Sequence, residues 1–168
     1  MGKRKKTWFQ IAICWLPVLI WMAVIFHFSS QSFSQQNLNP WIQKKVSDHS
    51  VREHLSGIDF KYGGSEISIA KQGVPGFVQF FIRKSAHMIE FGVLGMLFTW
   101  MLWRVSKMNL LYVAALSLLS CIIYASIDEF HQMFSKGRTP SVTDVLLDSI
   151  CALLGILLVL WFAAKKRI

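Results

Sequence analysis

WFQIAICWLPVLIWMAVIFHF, residues 8–28, decides how the rest of the chain is read, because it holds no Asp, Glu, Lys or Arg from Trp8 to Phe28. A bilayer core takes about 20 helical residues to cross, and this stretch has that length. It follows Lys3, Arg4, Lys5 and Lys6, as a secretory signal would. Its apolar part is longer than the roughly 7–15 residues of a signal core, and no small-residue cleavage pattern follows. The stretch therefore reads as a retained membrane helix, with Pro17 as a point where it can bend.

Three further apolar runs extend this reading: Phe77 to Trp103, Leu110 to Ile127 and Val142 to Phe162. Composition agrees. The chain is 54% apolar and 16% charged over 168 residues, against roughly 45–50% and about 25% for soluble domains. So much apolar surface needs lipid as its solvent. The expected architecture is all-α: one domain spanning 1–168, too short a chain for two cores, with four transmembrane helices at about 8–28, 77–103, 110–127 and 142–162. A single long polar segment, 29–76, separates the first two. Within it, Leu38, Trp41, Ile42 and Val46 share one helical face, as in a short interfacial helix. Phe60, Tyr62, Ile67 and Ile69 alternate about Gly63-Gly64, as in a hairpin, and Gly73, Pro75 and Gly76 punctuate the chain before the second long helix. Cys14, Cys121 and Cys151 all lie in apolar runs and read as small apolar filler.

Four crossings place both ends on one side. That side holds Lys3, Arg4, Lys5, Lys6, Arg104, Lys107, Lys165, Lys166 and Arg167 in short segments against helix ends, which makes it cytoplasmic. Nine other basic residues and all nine acidic ones fall on the outer half. The net charge of +9 is thus an orientation signal facing anionic lipid, and nucleic acid is not an expected partner.

With this orientation the second helix carries Arg83, Lys84, His87 and Glu90 inward, and Lys84, His87 and Glu90 step round one side of it. Counted from Phe80, His87 lies about 10 Å deep and Glu90 about 15 Å. A charge there costs about 2.5–3.5 kcal/mol on insertion scales unless paired, so these groups must face other helices. The third helix ends outside in Asp128, Glu129, His131 and Gln132. The fourth begins outside near Arg138 and Ser141 and adds Asp144 and, one turn deeper, Asp148. Ser141 and Asp144 read as a cap on that helix. Three helices therefore deliver ionisable groups to one outer layer. Gly92, Gly95 and Gly155 are expected to allow close helix packing, and Trp15, Trp21, Trp100, Trp103 and Trp161 to face lipid or its interfaces.

The runs KSAHMIEF (Lys84 to Phe91), DEFHQ (Asp128 to Gln132) and GRTPSVTD (Gly137 to Asp144) resemble the signature of the VanZ-like membrane proteins. The Phe28-Ser29-Ser30-Gln31 exit from the first helix is similar to that family's first segment. Two departures stand out: Asp148 where the family often has Asn, and Cys151 where it often has Gly. The resemblance implies a four-helix protein of the bacterial cytoplasmic membrane, named for low-level resistance to teicoplanin-type lipoglycopeptides; it supplies no reaction.

Three functions fit these residues. In the first, Lys84, His87, Glu90, Asp128, Glu129, Gln132, Arg138, Asp144 and Asp148 form an outer-leaflet pocket for a membrane lipid or lipid-linked envelope precursor, with Arg138 and Arg83 suited to phosphate. In the second, an intramembrane hydrolase or transferase uses His87 as base or nucleophile, oriented by Glu90 or Asp128; a metal-assisted version would draw on His87, Glu90, Asp128 and Asp144. In the third, the charges lock the helices together or dock a membrane partner or second copy. No cofactor is expected.

Overall fold

The computed structural model describes residues 8–31, 37–45, 54–55, 57–134 and 141–165. The terminal basic residues Lys3 to Lys6, Lys166 and Arg167, together with Val46 and Arg138, lie outside the described residues.

Four helices are long and apolar enough to cross a membrane: α1 (Trp8–Ser29), α3 (Ile69–Val105), α4 (Leu110–Gln132) and α5 (Val142–Lys165). The short α2 (Asn39–Lys45) and an antiparallel hairpin, β1 (Asp59–Tyr62) and β2 (Ser65–Ser68), lie between α1 and α3. α1 runs through Pro17 as one helix. α2 sits where the interfacial face is expected, with Ile42 buried and Trp41 exposed. The hairpin turns on Gly63 and Gly64, whose φ angles of 56° and 80° suit a two-residue turn in which both central residues need positive φ. Ile69 does not continue the strand. It opens α3, where the Ser68 side chain accepts a hydrogen bond from Lys71 N at 3.3 Å, a capping arrangement.

α3 begins eight residues earlier than the hydropathy of the sequence indicates. Its first turn ends at Gly73, which takes φ 68° and ψ 170°, a conformation open to glycine, and the helix resumes through Pro75. This extension changes where the ionisable groups fall along the helix. Counted from Arg104 at the other end, Lys84 lies about 30 Å along α3, one hydrocarbon thickness away. On the same count Asp144 lies about 31 Å from Lys165 and Asp128 about 27 Å from Leu110. The three groups thus lie at similar distances from the far ends of their helices. Glu90 is about 9 Å along α3 from Lys84.

α3 packs most intimately on α5, and backbone contact is the reason. A Cβ on Gly155 would stand 2.1 Å from the Gly92 carbonyl oxygen, and one on Gly95 would stand 2.3 Å from that of Ala152. Small residues bring membrane helices together in this way. Around the crossing, Phe91, Leu94, Phe98, Met101, Cys121, Ala125 and Ala152 form the core. α1 packs from outside, burying Val18 and Ile25. Two hydrogen bonds fasten it: Trp21 Nε1 donates to Glu90 O at 2.9 Å, and Tyr124 OH donates to Met22 O at 2.6 Å. The expectation that Trp21 faces lipid is therefore corrected, since its indole N–H, costly to leave unpaired in hydrocarbon, reaches α3. Trp100 likewise packs against the core. At the opposite end from Arg104, the hairpin rests on the head of α3, where Ile67, Ile69, Val74 and Phe77 form a second cluster with Phe60, Tyr62 and Phe80 around them.

Candidate functional site

Where the heads of α3 and α5 diverge, side chains replace backbone contact. Lys84 on α3 pairs with Asp144 Oδ1 in the first turn of α5. Tyr62, from the end of β1, donates its hydroxyl proton to the same Asp144 oxygen at 2.6 Å. The Lys84 ammonium also stands 4.8 Å from the Tyr62 ring centre and 5.8 Å from that of Phe80, within cation–π range. The hairpin is thus a working wall of the site. Its Gly63 lies so near α5 that a Cβ there would stand 2.8 Å from Ser141 Oγ.

One turn deeper, His87 Nδ1 lies 3.6 Å from Asp148 Oδ2, and the His87 ring stacks parallel to Phe91 with centres 6.4 Å apart. The expected orienting partners of His87, Glu90 and Asp128, are not the ones in place. Asp148 on the facing helix reaches the imidazole, so the residue where the resemblance departs from Asn supplies a carboxylate to it. Asp128 is buried and accepts from Gln132 Nε2 at 3.0 Å through Oδ2, one helical turn away on α4; Oδ1 has no hydrogen-bond partner among the described residues. Glu129 crosses from α4 to accept from Ser141 N at 2.6 Å. It therefore serves the positive end of α5, the role expected of Asp144, which is turned toward Lys84 instead. Ser141 Oγ accepts from Thr143 N at 3.2 Å, so its expected capping role holds.

These groups do not close on one another. They line a cavity of about 200 Å³ bounded by Tyr62, Lys84, His87, Gln132, Asp144 and Asp148, with Arg83 and Ser141 at its walls. Burial, then the bond to Asp144 and the nearby carboxylates Asp144, Asp148 and Glu129, push the Tyr62 phenol well above its ordinary range, so it remains a donor. Glu90 is absent from this cavity. It lines a second one of about 430 Å³ with Phe28, Leu38, Gln79, Ile82 and Ala86, and Arg83 and His87 border both.

Of the residues expected at one site, Lys84, His87, Gln132, Asp144 and Asp148 share the polar cavity; Asp128 and Glu129 brace its α4 side; Glu90 belongs to the neighbouring space. Among the described residues no three His, Cys, Asp or Glu side chains are placed to hold one metal ion, so His87, Glu90, Asp128 and Asp144 do not form the ligand set considered for a metal-assisted reaction. Tyr62 is the residue that sequence reasoning missed. Its signal was indirect: aromatic Phe60 and Tyr62 flanking a turn, in the same chain as unclaimed Phe77, Phe80 and Phe81.

The fold and site define a multi-pass membrane protein with a polar cavity held between its helix heads. A family model described as VanZ/LLP1 matches residues 14–163, and the chain belongs to that family. No curated protein and no solved structure matches it.

Proposed function

We propose that this chain is a bacterial cytoplasmic-membrane protein, with both termini in the cytoplasm, that binds the head group of an envelope amphiphile or lipid-linked precursor in its outer polar cavity. Through that ligand it contributes to low-level teicoplanin resistance. The observation that carries the reading is a cavity walled by paired charges near the ends of helices long and apolar enough to cross a membrane. Buried ionisable groups at that depth are expensive, and a set kept only to lock helices would gain most by closing the space between them. Lys84 and Arg83 balance Asp144 and Asp148 in formal charge, so the cavity favours hydroxyls and amides over a bare phosphate. Sugar-bearing head groups meet that requirement with donors and acceptors alternating. Phosphate, for which the sequence reading singled out Arg138 and Arg83, is thereby less favoured, because the charge of Lys84 is already answered by Asp144.

A second reading, turnover of the bound head group, is favoured by one observation: Asp148 stands where it can orient the His87 imidazole, as a general base requires. One strain set separates these outcomes. A deletion strain is complemented with the wild-type, Lys84→Ala or His87→Ala gene, and membrane protein level, teicoplanin tolerance and co-purified lipids are read together. Binding predicts that Lys84→Ala protein is present but restores no tolerance and retains no amphiphile; wild-type tolerance in that strain would overturn the reading. A lipid species that accumulates with His87→Ala while still bound would establish turnover.

A further inference from the structure

We infer that the second cavity receives one hydrocarbon chain of the amphiphile whose head occupies the polar cavity, entering sideways between α1 and α3 beneath α2. The inference rests on the head-group reading and adds the ligand's apolar half and its route.

Four observations support it. The two cavities adjoin, since Arg83 and His87 form walls of both; a molecule seated beside His87 in one continues past the same ring into the other. The second space is lined along α3 from Gln79 to Glu90, positions about 16 Å apart on the helix, a span that admits an extended chain. Its volume of about 430 Å³ is roughly twice that of the polar cavity and falls in the lower range for small-molecule sites, about 300–1,000 Å³. That suits one chain better than two. Finally, the lining carries exposed apolar side chains, Phe28 at 49% and Ile82 at 39%, as an opening toward lipid requires. Leu38, just before α2, also lines the space. The favoured ligand is therefore a single-chain glycolipid or prenyl-linked sugar, drawn from the bilayer and not from water.

The test uses the full chain in nanodiscs with a dodecyl glycoside bearing a diazirine at the chain end. A two-chain glycolipid carrying the same group serves as comparison. After illumination, labelled positions are mapped by mass spectrometry in the wild type, in Ala86→Trp, which fills the second cavity, and in Lys84→Ala, which alters only the polar one. The expected result is wild-type labelling at Leu38, Ile82 or Ala86, reduced at least tenfold in Ala86→Trp, with the two-chain probe labelling less. Labelling confined to the outward Ile123, Leu154 and Leu157 would overturn the inference, and would do so even if the glycoside still raised the thermal stability of the wild type through its head. Loss of cavity labelling in Lys84→Ala would join the two cavities as one site. Labelling that persists there would uphold the chain site while removing the head-group reading.

Discussion

The two ends of the α3–α5 interface solve the same problem by opposite means. Toward the middle of the bundle, Gly95, Gly155 and Ala152 let the backbones touch, and no side chain fits between them. At the outer end, Lys84, His87, Asp144 and Asp148 hold the helices apart and enclose open space. Lipid supplies little hydrophobic drive for helix association, so close packing carries most of the stability. The contrast teaches that affinity between these helices and the capacity to take a ligand are separated along one interface. The outer end keeps its spacing because the inner end does not depend on it.

The sharpest way to break this comparison is Gly155→Leu. A side chain aimed at the Gly92 carbonyl must separate the helices, at a cost of about 3 kcal/mol or more, and folded protein recovered by size-exclusion in detergent should fall severely. Recovery at the wild-type level would show that the backbone contact is not what holds α3 on α5. A smaller effect is expected from the ion pair. Replacing the whole set, Lys84→Met with Asp144→Leu and Tyr62→Phe, should cost within about 1 kcal/mol, because apolar groups of similar volume often substitute for an ion pair, whereas Lys84→Ala alone leaves the half-buried Asp144 with only its Tyr62 bond, at about 2 kcal/mol. Reversible unfolding in mixed micelles measures both. A triple variant as unstable as Lys84→Ala would return the site to the role of a helix lock.

The smallest effect of a single change concerns the hairpin. Tyr62→Phe removes a hydrogen bond to a charged group, worth about 1.5 kcal/mol, and leaves the ring over Lys84. Its proton also offers a pH reading. The folded phenol titrates above its ordinary range, so the stability that Tyr62 contributes is complete below the unfolded value and is lost as pH rises through the folded one. The phenolate absorbance present in the wild type and missing from Tyr62→Phe should therefore emerge only in strongly alkaline solution. Emergence in the ordinary phenol range would mean that Tyr62 does not sit against Asp144.

Much of this molecule was legible in one dimension. The four long helices follow from apolar length, because a backbone in hydrocarbon must satisfy its own hydrogen bonds, and length and composition suffice to recognise that. The short α2 and the Gly63-Gly64 turn follow from equally local patterns, 3.6-residue spacing and positive φ. The layer of acids and bases was legible too, since each helix carries them a fixed distance from its basic or polar end. Partnership was not. Which acid answers Lys84, why Asp148 and not Glu90 reaches His87, and that Glu129 serves the head of α5 all depend on the rotation of each helix about its axis, which Gly95 and Gly155 set by letting two backbones meet. Tyr62 joins Asp144 across 82 positions of sequence, a closure that no local spacing encodes. Local chemistry determined what each segment is; packing alone decided which side chains share a cavity and that Glu90 faces a different one.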